Sequence, residues 1–152
     1  PVIKIIMKLL TLIFSLLTTC GSIIGQNVIV EITDVRNSKG HLLLGIYTND
    51  SDYQERVAIM KQTVLKTDLK DGIITSKIEG LSPGVYGIAL MDDEDWDRKM
   101  AYSLIMPKEG FAFSNYYHEG YRKPHFDDFK FTLGPEDEKV VMKCKYLFDA
   151  DK

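Results

Sequence analysis

The chain has 152 residues, 45% hydrophobic and 27% charged, with a formal net charge of −3, enough for one ordinary domain and too little for two. Its 19 Lys and Arg stand against 22 Asp and Glu and form no basic stripe beyond residue 26, which argues against nucleic acid or an anionic membrane surface as partner. Of the two cysteines only Cys144 lies beyond the first 25 residues, so that portion is held by its core or by what it binds, not by an internal disulfide.

Residues 1–25, PVIKIIMKLLTLIFSLLTTCGSIIG, contain Lys4 and Lys8, no acid, and an uncharged apolar and hydroxyl run over residues 9–19. A basic start followed by such a run is the pattern of a secretory signal helix. It is shorter than the roughly 20 apolar residues of a spanning segment. Gly21, Ser22 and Gly25 provide small residues for cleavage, expected after Gly25 or Gln26. The chain opens on Pro1, and Met7 is the expected initiator. A single domain of residues 26–152 then carries a net charge of −5 and is expected to be periplasmic or extracellular, without membrane insertion. LTTC at residues 17–20 is a weaker, lipoprotein-like signal, because Thr19 stands where Gly, Ala or Ser usually precedes the acylated cysteine; anchoring through Cys20 is the lesser expectation.

From Val28 onward alternation dominates. Val28, Val30 and Ile32 share one parity, as do Leu42, Leu44 and Ile46, and period two over short runs marks half-buried strands. RNSKG between them suits a tight reversal, so the two are expected to form a hairpin. Ser51 and Gln54 have capping-box spacing, and Tyr53, Val57 and Met60 share one helical face, which predicts a short helix or a wandering connection. Ile74, Ser76 and Ile78 alternate into SPG, with Pro83 and Gly84 fitting a type II turn, and Tyr86, Ile88 and Leu90 alternate out, a second expected hairpin. Phe129, Phe131 and Leu133, then Val140, Met142, Cys144 and Tyr146, alternate on either side of GPEDE. About seven short strands separated by turn signals predict an antiparallel β-sandwich. Cys144, sharing parity with Val140 and Met142, reads as a small buried hydrophobe.

Five of the seven residues 91–97 are acidic. Asp93, Asp95 and Asp97 follow the spacing of the first half of a calcium loop, where alternate residues of a curled segment turn their carboxylates to one side for a hard cation. The second half departs from that pattern: Arg98 stands where Gly makes the sharp turn, and Leu104 where a bidentate acid closes the site. A cation would draw further ligands from the Lys99 carbonyl, Asp92, Glu109, Asp127 or Asp128.

VRNSKGHLLLGIY, IEGLSPGVYGIALMDDEDWDRKM, MPKEGFAFSN and PHFDDFKFTL occur in the order and rough spacing of a bacterial secreted family, domain of unknown function 2141, which the chain resembles from Val28 to about Tyr146. The resemblance implies a small exported β-sandwich, transthyretin-like or immunoglobulin-like, and implies no activity. It also implies that Asp93, Asp95, Asp97 and Lys99 occupy an Asp, Asn and Gly-rich loop similar to a calcium-binding segment. Trp96 and Arg98 stand where small residues or glycine are usual. Phe111, Phe113, Ser114, Asn115 and Phe126 match recurring positions of that family.

Residues 109–129 hold seven aromatic rings besides His118 and His125 and read as too long and polar for a strand. Phe111, Phe113, Asn115, Tyr117, His118, Tyr121, Arg122 and His125 form an expected surface for a protein, peptide or glycan, since rings give large contact area at low entropy cost. The bland alternative is that the rings close one end of the sandwich. His41, His118 and His125 lack the convergent spacing of a zinc triad, and no nucleophile, zincin or phosphate-loop motif is present. The expectation is a non-catalytic binding or accessory module of the bacterial cell envelope, steadied by calcium. The rival is a hydrolase or small-ligand carrier with its pocket between residues 92–99 and 109–129.

Overall fold

The computed structural model describes residues 26–100, 102–103, 106–120 and 122–148. The expected signal helix of residues 1–25, with Cys20, and Leu104 and Tyr121 lie outside the described residues. The described residues form ten strands: β1 Gln26–Thr33, β2 His41–Tyr47, β3 Met60–Leu65, β4 Ile74–Leu81, β5 Gly84–Asp93, β6 Tyr102–Ser103, β7 Met106–Pro107, β8 Gly110–Phe113, β9 Lys130–Leu133 and β10 Glu138–Lys143, with helices α1 Asp50–Glu55 and α2 Phe126–Phe129. Eight strands build two sheets, one ordered β10-β1-β4 and the other β3-β2-β5-β8, with β9 also on β5 and β6-β7 a separate ribbon.

The alternating residues meet between the sheets. Val28, Leu44, Ile88, Phe131 and Met142 are all buried there, with Val30, Ile32, Leu42, Ile46, Leu90 and Val140. Each such side chain removed from water contributes roughly 1.5–3 kcal/mol, so the all-β sandwich follows from the period-two pattern. One pairing departs from the antiparallel expectation: β1 and β10 run parallel, Val28 opposite Glu138 through Thr33 opposite Lys143.

Neither expected hairpin forms. β1 and β2 lie in different sheets, and so do β4 and β5. RNSKG and SPG each carry the chain across the core to the opposite layer; for β1 a hairpin is closed off because β10 and β4 already flank both its edges. The left-handed residue near SPG is Gly80, φ 77°, while Gly84 has no positive φ and opens β5, so the type II turn is absent. Besides the short β6-β7 ribbon, two strands of the sandwich escaped the sequence reading. β3 buries only Val64, and β8 lies inside the aromatic segment, pairing Phe111 and Phe113 with Met91 and Ala89.

The short helix is real but differently capped. Asn49, not Ser51, is the N-cap, its side chain accepting from Asp52 N at 2.9 Å, and Arg56 ends the helix at φ 62°. Tyr53 is buried while Val57 is 57% exposed. Tyr53 joins Tyr47, Phe113, Phe126 and Phe129 in a second hydrophobic cluster. The parity of Tyr47 and Phe113 puts it on the outer face of the larger sheet, beneath α1 and α2.

Amide side chains tie both seams between the sheets. Asn115, at φ 51°, donates its N–H to Val141 O at 2.8 Å and accepts from Val141 N through Oδ1 at 2.9 Å. Lys145 and Phe111 exchange two backbone bonds beside it. Across the molecule Gln62 of β3 donates to Ser76 Oγ and Lys77 O of β4.

Candidate functional site

Asp92 and Asp93 end β5, and strand alternation sends them to opposite faces. Asp92 continues the parity of Ile88 and Leu90 into the core; Asp93 faces outward, opposite His41 of β2. Both are fully buried.

Asp93 anchors the acidic loop. Its Oδ2 accepts from Arg98 N at 2.8 Å and lies 3.2 Å from His41 Nε2. Its Oδ1 is buried without a hydrogen-bond partner. Asp97 N donates to Asp95 Oδ1 at 3.1 Å, and Lys99 N to Asp97 Oδ1 at 2.6 Å, the Asx pattern that curls a chain locally. The curvature that glycines would give is supplied by Trp96 at φ 68° and Arg98 at φ 58°, a conformation that costs a non-glycine residue about 1–2 kcal/mol. The Trp96 indole packs against the His41 ring, centroids 4.4 Å apart and planes tilted by 44°. One carboxylate oxygen each of Asp93, Asp95 and Asp97 lies within 4.8 Å of the others, the only such group of three or more His, Cys, Asp or Glu among the described residues. Lys99 enters through its N–H; Glu109, Asp127 and Asp128 are not in the group.

On the inner side a polar network lies buried. Lys66, from the 3-10 turn Lys66–Asp68 after β3, contacts Asp92 Oδ1 with side-chain exposures of 1% and 0%. Tyr146 Oη donates to Asp92 Oδ2 at 2.5 Å and accepts from Arg36 N at 3.2 Å. The Arg36 guanidinium covers the Tyr146 ring and grips Glu94 with bonds of 2.6 and 2.8 Å; Asn37 adds a third at 2.9 Å. Burial pushes the Asp92 carboxyl above its ordinary range, against the pull of Lys66 and Tyr146. Glu94 is shifted the other way: burial raises it, but the hydrogen bonds and charge of Arg36 and the Asn37 bond outweigh that and hold it below the usual glutamate value. The Cys144 thiol is pushed up to about 12 by burial and then by Asp92; it is the small hydrophobe its parity implies.

The aromatic surface residues separate. Phe113 is buried, and Phe111 and His118 are half-buried, with His118 edge-on to Phe113 at 6.0 Å. Tyr117, Arg122 and His125 are exposed; His125 Nδ1 approaches Asp50 Oδ2 at 3.7 Å. Asn115 is committed to Val141. A shallow groove of about 360 Å³ is lined by Asn115, Tyr116, Tyr117, Val141 and Lys143, at the β8–β10 seam, and holds none of the loop carboxylates. Lys66, Asp92, Tyr146 and Arg36 went unread as a group. Parity alone carried Asp92 and Tyr146 inward, whereas nothing local in KTDLK marks Lys66.

Fold and loop define a small all-β sandwich with an acidic turn at the end of a central strand. The bacterial family described as an uncharacterized protein conserved in bacteria, domain of unknown function 2141, matches residues 30–141, and the chain belongs to it. No curated protein and no solved structure matches the chain. No helix among the described residues is long and apolar enough to cross a membrane.

Proposed function

We propose that this protein is an exported, non-catalytic binding or accessory module of the bacterial cell envelope whose acidic loop is fixed by a hard divalent cation, calcium by its oxygen ligands. One observation carries the cation: Asp93 Oδ1 is buried, without a hydrogen bond, beside the carboxylates of Asp95 and Asp97. An unpaired buried carboxylate oxygen is costly, and a cation at the mouth of the loop relieves it. The loop is already curled by its own Asx bonds, so little ordering entropy opposes binding. Support for a module is that Phe113, Phe126 and Phe129 pack inside the second cluster, which leaves exposed Tyr117, Arg122 and His125 to meet a protein, peptide or glycan.

Thermal melting in EDTA and in millimolar calcium tests this reading. A ligand at 100 times its Kd adds roughly 2.7 kcal/mol, on the order of 5–10 °C for a domain of this size, and Asp95→Asn with Asp97→Asn is expected to abolish the shift. Equal melting in both buffers overturns the cation. Export is checked by fractionation, with the chain shortened by residues 1–25 in periplasm or medium; full-length chain in the cytoplasm overturns it.

A further inference from the structure

Lys66 and Asp92 have no part in the cation loop, and their surroundings are unusual for an ion pair. An ammonium has three N–H donors to satisfy, yet among the described residues the buried Lys66 Nζ meets only Asp92 Oδ1, and Asp92 Oδ1 in turn meets only Lys66. Two opposite charges held in a buried core lose more hydration than a single contact returns. The other carboxylate oxygen is occupied by the Tyr146 hydroxyl, and Val64, Leu42, Leu90 and Cys144 belong to the same buried core.

We propose that Lys66 and Asp92 are joined by an amide bond between Lys66 Nζ and Asp92 Cγ, formed by the folded chain itself. The residues present supply every step. Proton transfer from Nζ to Oδ1 across the contact gives a neutral amine and a neutral acid, the pair that a low-dielectric core favours over two ions. The Nζ lone pair adds to Cγ, and the negative charge gathering on Oδ2 is received by the Tyr146 O–H, a donor already aimed at that oxygen. The adduct releases Oδ1 as water with the proton it took and a second proton from Nζ. One N–C bond forms, one C–O bond breaks and one water leaves; no oxidant, metal or cofactor takes part. Fixing amine and carboxyl in contact replaces a bimolecular encounter by an intramolecular one. The product asks for a single N–H acceptor where the ammonium asked for three. It ties the chain just beyond β3 to the end of β5, a covalent link in a domain with one cysteine beyond residue 25 and no disulfide among its described residues.

Peptide mapping of the purified full-length protein by mass spectrometry decides it. The expected result is a branched proteolytic fragment joining the Lys66 and Asp92 peptides, lighter than their sum by one water, and absent from Lys66→Arg. In Tyr146→Phe the fragment is expected to accumulate on the order of a hundredfold more slowly in newly synthesised chain followed by pulse-chase labelling. Wild-type protein whose Lys66 and Asp92 peptides appear separately at full mass, with Lys66 acylated by an amine reagent after unfolding, overturns the proposal. So does a loss of water located elsewhere in the chain.

Discussion

Asp92 and Asp93 are adjacent in sequence and equally buried, yet they sit in two different kinds of surroundings. On the inner side Asp92 meets a lysine and a tyrosine between packed sheets, with Cys144 in the same core. On the outer side Asp93 meets a histidine, a backbone N–H and an exposed loop under a tryptophan. The same functional group is therefore fixed by a buried counter-charge in one place and left with an unsatisfied oxygen in the other. Strand parity, one residue's difference, decides which.

Asp92→Ala breaks the inner side hardest. It leaves Lys66 buried without a counter-charge and is expected to remove about 3–5 kcal/mol, read from urea unfolding, while the Asp95 and Asp97 end of the loop keeps its own bonds. Gly40→Ala strikes the outer side. A Cβ there would lie 1.8 Å from Asp93 O at a φ of 67°, a backbone clash added to a left-handed conformation, and a loss of about 2–3 kcal/mol is expected by the same measurement.

Glu94→Gln separates the two sides more finely, since Arg36 links the loop to Tyr146 through Glu94. The pair is about one-fifth exposed, and roughly 1 kcal/mol is expected to be lost at neutral pH. Because the folded chain holds Glu94 below its ordinary value of 4.5, the wild-type advantage is present above that value. It disappears as pH falls through the lower folded one, so urea midpoints of the two proteins are expected to converge in acid. The smallest effect sharpens the inner side as dry. Cys144, with its thiol pushed up to about 12, is expected to resist a thiol reagent at neutral pH until denaturant is added, with no change in the melting temperature.

Strand positions were largely legible because β1, β2, β5, β9 and β10 each bury alternate residues. Pairing was not, since Asn, Ser and Gly between two strands report a reversal and not the layer to which the chain returns. β3 offered too few apolar residues to register, and β8 was hidden among rings destined for the outer face. The loop's Asp93, Asp95 and Asp97 were visible as spacing, and their curl persists without glycine because Asx bonds and left-handed Trp96 and Arg98 supply it. Lys66 was out of reach: its partner lies 26 positions away in sequence, at a strand end that only the register brings near.

The bonds of Asn115 to both polar backbone atoms of Val141 bear on behaviour in a crowded compartment. At the outermost strand of a sheet, free amide groups would act as a template onto which a neighbouring copy adds a ribbon, the first step toward fibres. Here that template is occupied by the chain's own asparagine at the middle of β10, and Gln62 reaches across to β4 on the far flank. A neighbouring copy that approached either flank would meet backbone already engaged at Val141 and Lys77.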